Sequence, residues 1–159
     1  MAGEPGHRCR RGDRCAGDYQ ARISGPLLDR IDLRVEVPAV SASDLMKPSN
    51  GESSAAIAKR VERARNIQAK RCETLGTSFV TNAQINNSII EKIAAPDSAG
   101  KELLGKAAEA LRFSARGFHR VLRVARTLAD LDSSEIVDQI HLAEAISYRV
   151  SSEKFAQAA

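Results

Sequence analysis

Hydrophobic and charged residues alternate in one short stretch near the beginning of the chain. The apolar positions share one face of an extended segment and the charged positions share the other: Ile31, Leu33, Val35 and Val37 against Asp32, Arg34 and Glu36. This alternation predicts a β-strand over about 31–37, and no second strand of comparable quality follows. A lone strand leaves its backbone groups unpaired. We therefore expect either pairing with another chain or, as the favoured interpretation, a larger sheet-containing protein of which this sequence is the end.

From about residue 41 onward the apolar spacing changes to the period of amphipathic helices. A long helix is predicted over about 53–74, with Ile57, Val61, Ala64 and Ile67 as its apolar stripe and Gly76 as its end. The further predicted helices are about 82–94, Asp97 or Ser98 to Leu111, about 114–131, and one capped by Asp138 that carries Ile140 and Leu142 on its apolar face. A short helix over about 14–23, interrupted by Ser24-Gly25-Pro26, precedes the strand. The predicted fold class is mainly α with one residual strand.

Composition fits one soluble domain. The 159 residues contain 43% hydrophobic side chains, enough for a core, and 24 Lys and Arg against 20 Asp and Glu give a net charge of +4. No apolar run reaches the about 20 residues of a membrane span, and no signal-peptide segment opens the chain. The odd number of cysteines, three, argues against a disulfide scaffold. We therefore expect a cytoplasmic, helix-rich protein.

Arginines are concentrated in the predicted helix at 114–131. Arg116, Arg120 and Arg123 cluster on the side opposite its apolar face, with Arg112 and Arg126 flanking them. No acid occurs between Glu109 and Asp130, so these arginines have no local carboxylate partner. A guanidinium group donates two parallel hydrogen bonds to an oxyanion, which suits the phosphate of a nucleotide or of a nucleic-acid backbone. The alternative is a solvated helix face, or pairing with carboxylates of another segment.

A single arginine, Arg30, stands directly before the predicted strand and after the Gly25-Pro26 turn. A side chain at this place is held on rigid backbone and can point away from its own core. The alternative interpretation is a salt bridge from Arg30 to Asp29 or Asp32.

Four separated segments carry a resemblance to a known family. In chain order they are SGPLLDRIDLRVEVP, ESSAAIAKRVERARNIQ, SARGFHRVLRVARTLADL and IHLAEAISYR. Together they resemble the C-terminal part of magnesium-chelatase-like AAA+ ATPases, in particular the ComM/YifB branch of competence-related proteins, over about residues 9–149. The same region is more distantly similar to chelatase I subunits and replicative helicases.

The resemblance implies a role for each arginine segment. Arg30, in LLDRIDL, matches the arginine finger, which would reach the γ-phosphate of ATP bound by a neighbouring subunit. Arg116, in SARGFHR, matches the sensor-2 arginine, which would contact ATP in its own subunit. Arg120 and Arg123 are weaker candidates for contacts with DNA or an adjacent protomer. The implied domains are the edge of the AAA+ core at 1–40, a helical lid at 41–150 and a frayed tail at 151–159.

The function implied for the intact protein is DNA remodelling driven by ATP and Mg²⁺, such as branch migration in natural transformation, by a ring that we expect to be a hexamer. These 159 residues contain no P-loop (G-x-x-x-x-G-K followed by Ser or Thr). The chain alone is therefore expected neither to hydrolyse ATP nor to bind it tightly. One alternative is a stand-alone helical module that binds nucleic acid or protein without any ATPase role. A second alternative is a magnesium-chelatase I-type subunit.

The cysteines and histidines are the residue types here that could serve as metal ligands or nucleophiles. His7, Cys9 and Cys15 form an H-x-C-x₅-C arrangement, but zinc normally takes four ligands. Cys9 and Cys15 are therefore only weak metal candidates, and no other metal site is predicted. Cys72 is expected to be a small core residue. His119 and His141 have no nucleophile at a suitable spacing, so no hydrolase triad is predicted.

Overall fold

The computed structural model describes residues 18, 21–35, 37, 40–48 and 51–149 of the chain. Within these residues lie the helices α1 (Gly25–Leu28), α2 (Ala42–Leu45), α3 (Ser54–Thr74), α4 (Asn87–Ile93), α5 (Ser98–Ala110), α6 (Ala115–Leu131) and α7 (Gln139–Ser147). The predicted mainly α fold, that of a helical lid, is confirmed. Among the described residues, no helix is both long enough and apolar enough to cross a membrane.

The predicted strand over about 31–37 is wrong for the residues of that segment that the structure describes. Residues 31–35 and 37 belong to no strand, because no other described segment runs beside them to pair their backbone groups. An isolated parallel bridge between Pro96 and Val137 is the only β pairing in the described part of the chain. The apolar side chains of the segment are open to solvent, with Val37 82% exposed. The Arg34 N–H instead donates to the Tyr148 carbonyl at 2.8 Å, which attaches the segment to the end of α7.

The Ser24-Gly25-Pro26 sequence starts a helix rather than only interrupting one. The Ser24 hydroxyl caps α1 by accepting from the Leu27 N–H, and Pro26 lies in the first turn, where its missing N–H costs no bond. Residues 21 and 22 form a turn, which corrects the end of the helix predicted at 14–23. The rest of that predicted helix, apart from Asp18, and the predicted tail at 151–159 lie outside the described residues.

The long helix α3 begins one residue after its Ser53 cap and is followed by Gly76 at a φ of +63°, as the sequence predicts. Only its second half is packed, through Ala64, Gln68 and Cys72. The expected apolar stripe is therefore wrong for its first two members, because Ile57 and Val61 are 41% and 44% exposed. The first half of the helix extends past the helices that bury the second half.

Helix α4 begins later than predicted, at Asn87 rather than near residue 82. Asn86 caps it, with its side-chain oxygen accepting from the Ile89 N–H at 2.9 Å. Residues 82–84 form a turn instead, and Asn82 is buried there as a polar residue with several partners.

Helix α6 is the centre of the bundle. It contacts α3, α4 and α7, while α5 packs against α7. The core contains small and branched side chains at these contacts, among them Ile90, Leu104, Val121, Leu122, Ala125, Ala129, Leu142 and Ala145. The predicted caps Asp97, Ser114 and Asp138 are all confirmed. The expectation that Ile140 belongs to the apolar face of α7 is wrong, since it is 73% exposed in the first turn of that helix.

Candidate functional site

The Arg30 side chain stands alone at the surface. Its backbone N–H donates to the Leu27 carbonyl at 3.0 Å, which continues the α1 turn. The side chain is exposed and makes neither a hydrogen bond nor an ion pair with any described residue. The alternative of a salt bridge to Asp29 or Asp32 is therefore not what the structure shows.

Both acids beside Arg30 are occupied by other residues. One Asp29 oxygen accepts from the Ser114 hydroxyl at 2.7 Å, and the other accepts from Arg149 Nη2 at 3.1 Å. Asp32 forms an ion pair with Arg120 of α6. The two carboxylates therefore attach residues 29–32 to the lid helices, and neither of them pairs with Arg30.

Sequence reasoning missed Arg149, the most enclosed residue of this region. Its Nη1 donates to the Ile31 carbonyl at 3.3 Å, and its guanidinium lies 5.9 Å from the centre of the Phe113 ring. Burial lowers the pKa of the Arg149 guanidinium, and the negative charge of Asp29 opposes this shift. The group remains a cation at neutral pH, since arginine does not lose its proton there. The one available signal was its place at the end of the IHLAEAISYR segment.

Arg34 completes this contact region. Its Nη1 donates to the Arg149 carbonyl and its Nη2 donates to the Leu28 carbonyl, both at 3.2 Å. We name the set of Asp29, Arg34, Ser114 and Arg149 the Asp29 junction. It joins the residues around Arg30 to the beginning of α6 and the end of α7.

Arg116 lies in the first turn of α6 and is exposed. Like Arg30, it has no side-chain partner among the described residues. A cation at a helix N-terminus opposes the helix dipole, so stability does not explain this placement. An anion near Arg116 would meet the guanidinium and the positive end of a 17-residue helix together.

The other arginines of α6 are occupied, which corrects the expected unpaired stripe. Arg120 pairs with Asp32, and Arg123 donates to the Ile85 carbonyl at 3.0 Å and to Asn87 Oδ1 at 2.8 Å. Burial lowers the pKa of Arg123, and the nearby charge of Arg120 lowers it further. For Arg120, the alternative of pairing with a carboxylate of another segment is what the structure shows.

Arg126 points into the protein rather than toward solvent. It is 1% exposed and donates through Nε to Asp130 at 3.1 Å. Its other nitrogens donate to the Glu135 carbonyl at 2.8 Å and the Ser134 carbonyl at 2.5 Å. Arg71 of α3 reaches the same Asp130 carboxylate, at 3.0 Å for Nη1 and Oδ2. Arg126 is thus a structural residue that holds the α6–α7 loop.

The remaining polar candidates have structural partners or lie outside the described residues. His119 contacts Glu91 and the Ala115 carbonyl, both at 2.6 Å, and His141 belongs to the capping box of α7. Cys72 is a buried core residue, as predicted. Cys9 and Cys15 lie outside the described residues, so their candidacy as metal ligands stays a prediction.

The helical lid and its arginine segments define a class of protein, the C-terminal part of a magnesium-chelatase-like AAA+ domain. Residues 51–149 match the family described as magnesium chelatase, subunit ChlI C-terminal. Residues 1–45 match the family described as magnesium chelatase, subunit ChlI. The chain therefore belongs to the magnesium chelatase ChlI family.

Curated relatives agree with the ComM/YifB branch that the sequence indicated. Competence protein ComM of Haemophilus influenzae is 39% identical over 132 residues, and uncharacterized protein YifB of Escherichia coli is 40% identical over 132 residues. An uncharacterized protein of Mycobacterium tuberculosis is 38% identical over 133 residues. Each match covers 82% of this chain and 25% of the relative. The chain thus spans about a quarter of the length of the curated relatives it matches.

Proposed function

We propose that this chain supplies the arginine finger and the lid of an AAA+ ATPase that remodels DNA in a ring of identical subunits. Arg30 acts on ATP bound by the neighbouring subunit, and Arg116 acts on ATP bound by its own subunit. The observation that carries the proposal is that these two arginines are exposed without a partner in the described residues, whereas Arg120, Arg123 and Arg126 are occupied. The name of competence protein ComM supports DNA uptake as the setting.

Each of the two exposed arginines suits the phosphate end of a different Mg²⁺–ATP complex, Arg30 in the neighbouring subunit and Arg116 in its own. Arg30 and Arg116 can donate to phosphate oxygens, and guanidinium groups suit that role because their donors match the spacing of phosphate oxygens. Asp29 and Asp32 do not fit a Mg²⁺ ion, because both carboxylates already bind arginines. The metal ligands and the P-loop belong to a part of the ATPase beyond these residues.

Subunit mixing tests the two roles separately. In the longer ATPase, Arg30→Ala and Arg116→Ala should each lower the ATP turnover, for the finger by about 10³-fold or more. Mixing Arg30→Ala subunits with subunits that carry a P-loop mutation should restore activity, because an intact finger then faces an intact P-loop. Mixing Arg116→Ala subunits with the P-loop mutant should give no activity, because no subunit in that mixture has both an intact P-loop and Arg116.

The outcomes distinguish the parts of the proposal. Undiminished turnover in both variants contradicts both assignments. Absence of rescue for Arg30→Ala at every mixing ratio contradicts action across subunits, and rescue for Arg116→Ala contradicts action within one subunit. Lys47→Ala is a suitable control, since Lys47 is exposed and pairs only locally with Asp44.

The alternative of a stand-alone nucleic-acid-binding module makes a different prediction. DNA binding by this chain alone would then weaken with salt and on Arg120→Ala or Arg123→Ala. The partners of these two arginines, Asp32 and Asn87, argue against their availability for phosphate. Salt-dependent DNA binding that both substitutions reduce would favour the alternative over the ATPase lid.

A further inference from the structure

The Arg30 turn is bound on both sides of Arg30 by long-range contacts. Asp29 before it meets Ser114 and Arg149, and the Ile31 carbonyl after it accepts from Arg149. The partners are 85 to 120 positions apart in the sequence. The neighbours of Arg30 are therefore fixed on the lid, whereas the Arg30 side chain itself is not.

We propose that Asp29 and Arg149 are positioning residues that lock the Arg30 turn to the first turn of α6, so that Arg30 and Arg116 move as one rigid unit. This inference rests on the proposed roles of the two arginines. The further point is that the Asp29 carboxylate fixes the position of Arg30 relative to Arg116.

Ser114 is the residue through which this lock reaches Arg116. Its hydroxyl donates to Asp29 and accepts from the Gly117 N–H at 3.0 Å, which is the capping bond of α6. Arg116 lies between Ser114 and Gly117 in the chain, in the helical turn that this capping bond orders. A displacement of Asp29 therefore disturbs the backbone that carries Arg116.

Arg149 provides the enclosed half of the lock. Its side chain is 6% exposed, and a charge-assisted hydrogen bond is stronger where water is excluded. Gly117 leaves the space for it, since a Cβ at that position would lie 3.3 Å from Arg149 Nη2. Arg34 then closes the arrangement from the other side through the Arg149 carbonyl.

In this arrangement Arg30 and Arg116 belong to one rigid unit, although they contact ATP molecules bound by different subunits. When ATP binding or release in one subunit moves the lid through Arg116, the Asp29 junction moves Arg30 toward or away from the neighbouring site. The lock thus passes the nucleotide state of one subunit to the next without any change inside the helical bundle.

Hydrogen exchange on the 159-residue chain tests the lock itself. Asp29→Ala removes both contacts of a half-exposed turn residue, and Asp44→Ala is the control at an exposed local ion pair. We expect Asp29→Ala to speed exchange about tenfold both at the Arg34 amide and at the Gly117 and Phe118 amides of α6. Faster exchange in residues 25–34 alone, with α6 unchanged, would overturn the inference.

Arg149→Lys gives a second test that retains the charge. Lysine offers one compact donor group in place of the guanidinium fork, so it cannot serve Asp29 and the Ile31 carbonyl together. We expect the same two regions to lose protection while the amides in the second half of α3 keep theirs. Full protection in both regions would contradict the positioning role of Arg149.

ATP turnover in the longer ATPase separates this inference from the proposed function. Asp29→Ala should lower kcat by about tenfold or more and change the KM for ATP by a smaller factor, since it misplaces Arg30 and Arg116 and leaves the P-loop unaltered. If Arg30→Ala abolishes turnover and Asp29→Ala does not alter it, the positioning role of Asp29 is contradicted, whereas the arginine-finger role of Arg30 is supported. If Arg30→Ala is without effect, the proposed function fails, and the exchange measurement still decides the lock.

Discussion

At the scale of single residues, three arginines of α6 occupy three different environments within ten positions. Arg116 is exposed without a partner, Arg120 is paired at the surface, and Arg126 is buried. The sequence shows the same residue type at each place, and only Arg126 has an acid, Asp130, one helical turn away. What separates them is the direction of each side chain on the helix and, for Arg120, the long-range partner Asp32, which only the fold brings close.

Asp130 should be among the most sensitive residues to substitution. It is fully buried and accepts hydrogen bonds from Arg71, Arg126 and Asn82. Asp130→Asn removes the charge that these cations require, and breaking such a pair costs about 3 kcal/mol or more of unfolding free energy. Urea denaturation would measure the loss. Asp44→Asn, at an exposed ion pair, should leave the midpoint unchanged, and an equal effect of the two substitutions would contradict the argument.

Tyr148 should ionise at a higher pH than an ordinary tyrosine. The hydrogen bond from its hydroxyl to Glu144, 2.8 Å long, raises its pKa, and burial and the Glu144 charge raise it further. A raised folded-state pKa means that this stabilisation is present below the ordinary tyrosine pKa and is lost as the pH rises through the folded value. Ultraviolet titration of Tyr19→Phe, in which Tyr148 is the only tyrosine, would show the shift. Glu144→Gln should return the pKa toward its ordinary value.

At the scale of elements, the helix ends were the most predictable features. Asp97, Ser114 and Asp138 all cap as the sequence indicated, because the side-chain oxygen satisfies backbone N–H groups that the helix itself leaves free. The start of α4 was predicted too early. Asn82 looks like an ordinary helix start in the sequence, but its burial against Asp130 holds residues 82–84 in a turn.

Two glycines of α5 should respond in opposite directions to the same substitution. A Cβ on Gly100 would lie 2.7 Å from Leu142 Cδ1 and 2.9 Å from Pro96 Cβ, whereas nothing lies within 4 Å of a Cβ on Gly105. Gly100→Ala should therefore destabilise the protein by about 1–3 kcal/mol through overpacking. Gly105→Ala should stabilise it by about 0.5–1 kcal/mol through helix propensity. Thermal or urea unfolding of the two variants provides the comparison, and a shift of the same sign in both would contradict the close α5–α7 approach.

At the scale of the whole molecule, protection should follow packing along α3. Ala64, Gln68 and Cys72 of this helix face the bundle, whereas Ile57 and Val61 are open. We expect amides at about 55–62 to exchange by local fraying, and amides at 66–74 to approach the rate set by global unfolding. Hydrogen exchange resolved by mass spectrometry or NMR would measure the difference. Uniform protection from end to end would mean that something covers the first half.

The segment at 31–37 shows why part of the site could not be predicted at this scale. Its alternation is a real property of the sequence, but a strand is made by the segment that lies beside it, and the described residues provide none. The sequence pattern singled out Arg30 and Arg116 as candidates, but their separate roles were implied only by the resemblance, since exposed arginines carry no local pattern that ranks them. Arg34 and Arg149 were missed because their roles depend on contacts across more than a hundred positions.

Those contacts cross the division between the two family matches. Asp29 and Arg34 lie in the match at 1–45, and Ser114 and Arg149 lie in the match at 51–149. Since each side chain serves the other part, we expect substitutions at these positions in the two parts to be coupled during evolution. A relative that replaces the arginine at position 149 should also carry a changed residue at the position of Asp29, and the pair should be inherited together even where the sequence between them diverges.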